Sequence, residues 1–295
     1  MPDLRSLEIL YWTAQLQSFR KAAEKLHTTQ PAVSQRIAAL EAELGIRLFE
    51  RGPRAVSITP KGRVLVEYAE RFLRLRAEMM QAVAAPAALS GLLRLGVSET
   101  IVHTWLARFI ERAHAVYPNV VIDITVDVSP AMRDALVGRE IDLAFLLGPV
   151  SEPSMVNHDL CSYPLAFIAA GDFDVGPEPV SLQALLQHPV ITYPRTTAPY
   201  VRLREMLSVP DLPSPRLFTS SSLATIIRMT LDRVGVSLIP PVVIEPEISA
   251  GKLRVVATRL EIPRLVFTAT HPMVLDGGLA APLAQLACEV ARRAG

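Results

Sequence analysis

Along the N-terminal part of the chain, apolar side chains recur at intervals of three and four. Leu4, Leu7, Leu10, Tyr11 and Ala14 share one helical face. Ser18, a favoured N-cap residue, precedes Ala22, Ala23 and Leu26 at the same spacing. His27 and Thr28 break the pattern. Thr29 then caps a third helix with Pro31 in its first turn; Val33, Ile37, Leu40 and Leu44 form its buried stripe, and Gly45 ends it in a left-handed conformation. Residues 46–59 alternate in short segments around Gly52-Pro53, which predicts a two-stranded wing with Arg51 and Arg54 near its tip. After Thr59-Pro60, the residues Leu65, Tyr68, Phe72, Leu75 and Met79 form a seam flanked by charge. About three heptads of this kind predict a helix that pairs with a second copy of itself, packing within its own domain being the alternative.

From residue 92 the pattern changes. Apolar runs at 92–97, 120–126 and 142–147 read as strands, and segments 101–117 and 130–137 as helices. A second series follows: strands at 165–169, 190–193, 217–219, 236–239 and 265–269, helices at 200–207 and 223–232, and a final helix at 279–292. Strands alternating with helices predict mostly parallel sheets, here two α/β lobes. The expected organisation is 1–59 and 60–85 for the helical part, a hinge at 86–91, and a larger domain at 92–295. Lobe I takes residues 92–162 and 266–295, and lobe II 163–265.

The chemistry sits in two places. The start of the third helix leaves Gln30, Pro31, Ser34, Gln35 and Arg36 exposed beside the cap Thr29. Glutamine pairs with adenine, serine bonds either kind of base edge, and apolar groups touch the thymine methyl. An ordinary helical hairpin with a solvated face fits the same stretch, but the flanking helix and wing favour a groove reader. Nine basic against six acidic side chains leave residues 1–62 near +3 in a chain of net +1, the sign that suits DNA phosphates. In the larger domain, ligands are expected at the carboxyl ends of strands. Those ends are Ser98-Glu99-Thr100, Asp127-Val128-Ser129, Tyr193 to Thr197, and Thr219 to Ser222. Ser98, Glu99, Thr100, Ser129, Thr196, Ser220, Ser221 and Ser222, with His103 one turn further on, are the candidate ligand contacts. The hydroxyls suit a small polar molecule, and Arg195 would hold an organic acid through its guanidinium. Glu99 argues against an anion beside it.

Other chemistries find little support. Cys161 and Cys288 make neither a CxxC pair nor a zinc spacing. The six histidines are scattered without an i, i+4 pair, so no metal or other cofactor is expected. Phosphate-binding loop, dinucleotide fingerprint and nucleophile elbow are all missing, which speaks against an enzyme. Asp3, Arg5 and Glu8 stand where an export signal needs an apolar segment, which speaks against an exported solute-binding protein. A cytoplasmic protein that crosses no membrane is expected.

The residues Phe19, Ala22-Ala23, Leu26-His27, Gln30 to Ser34, Leu40-Glu41, Leu44-Gly45, Leu48 to Arg51 and Thr59 to Gly62 together resemble the N-terminal signature of LysR-type transcriptional regulators. The wing departs slightly, reading Gly52-Pro53-Arg54-Ala55. The resemblance implies an all-α winged helix-turn-helix, a long linker helix, and a two-lobed effector domain of the periplasmic-binding-protein type. It implies that Gln30, Pro31, Ala32, Ser34 and Gln35 face base edges of double-stranded DNA, and that Arg51 and Arg54 touch its backbone or minor groove. It also implies a homodimer or homotetramer through linker helices and effector domains, a small-molecule effector at the strand ends, and RNA polymerase as a further partner.

Overall fold

The computed structural model describes residues 3–51, 56–83, 89–152, 154–273 and 278–293. The chain divides into two compact units, residues 1–84 and residues 85–273 with 279–295. Capping residues set the element boundaries of the first unit. Asp3 accepts from the Ser6 N–H at 2.6 Å and opens α1 (Leu4–Leu16). The Ser18 hydroxyl accepts from the Lys21 N–H at 3.3 Å and opens α2 (Phe19–Lys25). Thr29 does the same for Ala32 at 3.4 Å, and α3 (Gln30–Leu44) ends at Gly45 with φ of 65°. His27, at φ 49°, turns the chain between α2 and α3. Strands β1 (Phe49–Arg51) and β2 (Val56–Ile58) pair antiparallel as a wing. Arg54, between them, and the side chain of Arg51 lie outside the described residues.

Helix α4 (Pro60–Val83) begins at Thr59, whose hydroxyl accepts from the Gly62 N–H at 2.9 Å. It packs on α1, with Ala69 and Leu73 fully buried. The core they close includes Leu10, Tyr11, Ala22, Val33, Ile37, Leu40 and Leu48. A second apolar row on α4 stays outside: Val64, Tyr68, Phe72, Leu75 and Met79 are each more than half exposed. The residues expected to form the seam are not all equally open. Leu65 is half-buried between the two rows, and Val64 takes the outward place four residues before Tyr68. At 3.6 residues per turn Leu65 lies about 20° from Phe72 on one side and about 40° from the buried Ala69 on the other, which leaves it partly covered. Gly62 has no room for a side chain, since a Cβ there would stand 2.3 Å from the Leu48 carbonyl oxygen. Gly62→Ala is expected to destabilise this unit by about 1–3 kcal/mol through overpacking. Circular-dichroism melts should then show its melting temperature falling by roughly 5–15 °C.

The second unit contains two five-stranded sheets built on one plan. Its elements run β3 (Ser90–Val97), α5 (Glu99–Val102), α6 (Leu106–Val116), β4 (Asn119–Val126), α7 (Ser129–Val137), β5 (Leu143–Leu147), β6 (Met155–Pro164) and β7 (Ala166–Ala170). They continue with α8 (Leu182–Leu185), β8 (Val190–Thr192), α9 (Ala198–Leu207), β9 (Leu217–Thr219), α10 (Leu223–Leu231), β10 (Val236–Ile239) and α11 (Glu245–Ser249). Strands β11 (Leu253–Val256) and β12 (Arg264–Pro272) and helix α12 (Ala280–Arg292) complete it. The first sheet has the order β4-β3-β5-β12-β6, the second β9-β8-β10-β7-β11. In each, three parallel strands are extended by two more through successive antiparallel pairings. The first sheet borrows β12 from the far side of the sequence, whereas the second uses the consecutive strands β7 to β11, and β6 of the first leads directly into β7 of the second. Arg94 on β3 grips Asp142 at the start of β5 by its backbone N–H (2.9 Å), Nε (3.1 Å) and Nη2 (2.7 Å). Burial alone would raise the Asp142 pKa, but the bonds and charge of Arg94 hold it below the usual carboxylate value.

The helix expected over 101–117 is two helices, α5 and α6. The break falls at His103–Trp105, where Trp105 is fully buried with its ring 5.4 Å from Phe145 and 6.5 Å from Phe109. The tertiary site for the indole overrides the helical pattern.

The histidines, scattered in sequence, include a pair brought together by the β6–β12 ladder. The rings of His158 and His271 stack with centroids 5.4 Å apart and Nε2 atoms at 3.3 Å. Burial lowers both pKa values; Asp159 offsets part of this for His158, and the Pro272 carbonyl part of it for His271. A depressed histidine pKa contributes stability above the unfolded value near 6.5, which is lost as pH falls toward and through the folded value. The melting temperature of the second unit is therefore expected to fall between about pH 7.5 and about pH 5.5, and less steeply in His158→Gln. Parallel slopes for the two proteins would remove the pair as the cause. Among the described residues, no group of three or more His, Cys, Asp or Glu is placed to hold a metal ion.

Candidate functional site

In the first unit, the candidate interface is the N-terminal turn of α3. Val33, Ile37 and Leu40 bury one face, so the opposite face must meet solvent. Thr29, Gln30, Pro31 and Gln35 are exposed on it, with Ala32 and Ser34 half-buried beside them. Arg36 is exposed but engaged: its Nη1 donates to Asp3 Oδ2 at 2.8 Å. The Asp3 pKa is lowered first by the Ser6 N–H it caps and further by Arg36. Arg36 therefore braces α3 against the start of α1 as well as adding charge beside the glutamines. Arg5 is also committed, donating to Glu8 at 2.7 Å and to the Leu26 carbonyl at 3.1 Å. Two of the basic side chains counted toward the positive end thus hold structure together.

In the second unit, a cavity of about 390 Å³ lies where parallel-strand ends of the two sheets meet. Ser98, Glu99 and Thr100 reach it from β3, and Val126 to Ser129 from β4. Tyr193, Thr197 and Pro199 follow β8, while Ser221 and Ser222 follow β9. Leu147, Leu265 and Phe267 supply apolar wall. This is the crevice beyond strand carboxyl ends that open α/β sheets offer to ligands. Several lining hydroxyls also hold the backbone. Ser129 Oγ accepts from the Leu147 N–H at 2.9 Å, and Ser222 Oγ caps α10 at the Thr225 N–H, 3.2 Å away. A hydrogen bond crosses between the lobes: Glu99 Oε2 accepts the N–H of Leu223, the first residue of α10.

Ser98, Glu99, Thr100, Ser129, Ser221 and Ser222 converge on the cavity as the sequence suggests; His103, Arg195, Thr196 and Ser220 do not line it. His103 ends α5 on the exposed surface. The Ser220 hydroxyl accepts from the Ser222 N–H at 3.1 Å within its own turn. The Thr197 hydroxyl closes the turn after β8 by donating to the Pro194 carbonyl at 2.7 Å. Tyr193 and Thr197 line the cavity, and the intervening Arg195 and Thr196 are exposed. The lining residues carry two acids, Glu99 and Asp127, and no lysine, arginine or histidine. Tyr193 is the notable addition. Its buried hydroxyl has no hydrogen-bond partner, Thr100 approaching without completing a bond. Burial raises its pKa far above the ordinary phenol value and the Glu99 charge raises it further, so the phenol stays neutral. The apolar wall from β12 could not be told from core, because Leu265 and Phe267 alternate like any buried strand pair.

A groove-shaped helix pair with an exposed polar end, followed by a two-lobed domain with a cavity at its strand ends, defines the class of ligand-responsive DNA-binding regulators. Comparison with known proteins gives the family. Residues 4–63 match the model of the bacterial regulatory helix-turn-helix protein, lysR family, and residues 86–287 match that of the LysR substrate binding domain. The chain belongs to the LysR family: it is a DNA-binding transcriptional regulator with an effector-binding domain. It is 27% identical over 252 residues to the HTH-type transcriptional regulator GltR of Bacillus subtilis, covering 85% of this chain and 84% of that one. A full-length OxyR variant from Pseudomonas aeruginosa shares the fold with a TM-score of 0.58 at 23% identity, covering 99% of this chain and 100% of that one. CrgA, a LysR-type regulator from Neisseria meningitidis, does so with a TM-score of 0.56 at 20% identity, over 98% and 99% of the two chains. No helix among the described residues is long and apolar enough to cross a membrane.

Proposed function

We propose that Gln30, Pro31, Ala32, Ser34 and Gln35 read base edges in the major groove, with Thr29 setting the start of the helix and Arg36 bracing it. Arg51 and Arg54 of the wing would touch the DNA backbone or minor groove. The observation that carries this reading is the two-sided α3: three apolar residues buried behind a polar N-terminal turn that stays open. Two copies paired through α4 would present two such turns to two half-sites. A small molecule in the cavity would favour one arrangement of the subunits over another, because a ligand shifts an equilibrium only by binding its states unequally. Its work is binding and not bond-making, it acts in the cytoplasm where the DNA lies, and it meets RNA polymerase at the promoters it controls.

The test is selection of bound sequences from random duplex DNA by the full-length protein. The expected product is an inverted repeat whose half-sites lie about one helical turn, or a multiple of it, apart. Enrichment of single, unpaired sites would remove the dimeric arrangement; no enrichment at all would remove α3 as a sequence reader.

A further inference from the structure

We infer that the cavity in the second unit takes an organic cation: a small molecule with an ammonium or similar positive group on an apolar body. This rests on reading the cavity as the effector site. It departs from the organic acid that Arg195 suggests in the sequence.

The charged groups lining the cavity are Glu99 and Asp127, with no basic side chain among the described lining residues to oppose them. Arg195, the cation expected there, is exposed in a turn outside it. One place where an anion would dock, the start of α10, is already taken. A helix N-terminus attracts negative charge, and α10 points such an end at the cavity, but its Leu223 N–H already donates to Glu99 and its Thr225 N–H to Ser222. A carboxylate arriving at α10 would have to displace the chain's own carboxylate and then sit beside it.

For a cation the same groups are favourable. A carboxylate has about four acceptor positions, and the bond from Leu223 occupies one on Glu99. Asp127, at the exposed end of β4, receives the Val128 N–H at 2.7 Å on Oδ1 and adds a second negative charge. An independent sign of a missing ligand is Tyr193, which lines the cavity and whose buried hydroxyl completes no hydrogen bond, with Thr100 beside it. A neutral phenol oxygen accepts a hydrogen bond from an ammonium N–H. Leu265 and Phe267, with Leu147, supply apolar lining for the body of such a molecule. The volume, about 390 Å³, is that of roughly a dozen waters, which suits a compact amine.

The test uses the full-length protein and matched sets of compounds that share one body and differ in one group. Phenethylamine, 2-phenylethanol and phenylacetate make one set; agmatine, hexylamine and hexanoate extend the range. Thermal shift finds binders and titration calorimetry ranks them. The expected hits are amines, with the alcohol and carboxylate of the same body at least about tenfold weaker. Glu99→Gln keeps an acceptor for the Leu223 N–H and removes the charge, so it should weaken the amine about tenfold or more without lowering the melting temperature of the free protein appreciably. Asp127→Asn, at an exposed position, guards against a folding effect and should weaken it in the same direction. Hits confined to carboxylates, tightened by Glu99→Gln, would overturn the cation while leaving the effector cavity in place. Amine binding unchanged in the Glu99→Gln, Asp127→Asn double variant would also overturn it. Failure of every compound, whatever its charge, to shift the wild type would count against both the cation and the cavity reading beneath it.

Discussion

Replacing Phe72 and Leu75 together with glutamate is expected to weaken self-association at least about a hundredfold. Each is more than half exposed on α4 in one chain. Burying such side chains contributes about 1.5–3 kcal/mol apiece, so two of them account for roughly two to four powers of ten in association. Four like charges along a paired seam would add repulsion. The substitutions face away from Ala69 and Leu73, which are buried within the first unit, so helix content should hold. Sedimentation velocity should show the main species shifting toward the monomer. Operator affinity should fall with it, because two tethered heads bind about 10²- to 10⁴-fold better than one. An unchanged sedimentation profile would mean that contacts elsewhere dominate assembly and that the outer row of α4 has another purpose.

The second large effect concerns α3. Ser34→Ala combined with Gln35→Ala should cut affinity for the selected operator on the order of 10- to 100-fold, since a good base contact is worth about 1–3 kcal/mol. Binding to unrelated duplex should barely change. The dependence on salt should keep its slope, since neither residue neutralises a phosphate. Fluorescence anisotropy on specific and scrambled duplexes at several salt concentrations separates these effects. Equal losses on both duplexes would assign the two residues to general backbone contact and remove them from sequence reading.

Much of the architecture was legible because it is set locally. Ser18, Thr29 and Gly45 act within four residues of their own positions, and the structure has caps at all three. The inner parallel strands β3, β5, β8 and β10 stood out as short apolar runs, since a strand covered on both faces has no need of polar alternation. Strand β6 escaped notice. It is an edge strand with Asn157, His158, Asp159 and Ser162 mixed among its apolar residues, and its pairing partner β12 lies about a hundred positions away. Strand β11 is likewise a short edge, four residues long.

The cavity was legible to the same extent. The strand ends pointed to Ser98–Thr100, Ser129 and Ser221–Ser222 because topology alone places them. Which way a turn residue faces is not a property of topology. Arg195 and Thr196 are exposed because Thr197 closes their turn on Pro194, and Tyr193 mattered more than either. The Glu99–Leu223 bond spans 124 positions, and no local pattern announces it. The net charge near +3 already includes Asp3 and Glu8, but it could not show that Arg5 and Arg36 answer those acids in their own unit.

Helix α4 joins two tasks in one piece of backbone. Its 24 residues at about 1.5 Å each make a rod of roughly 36 Å. Ala69 and Leu73 bolt that rod to the reading head, so head and rod turn as one body with no joint between them. Leverage follows: a tilt of about ten degrees sweeps one end through roughly 6 Å, close to two base-pair steps of about 3.4 Å. Any force that reorients the far end of α4 is thereby converted into a change of footing on the double helix.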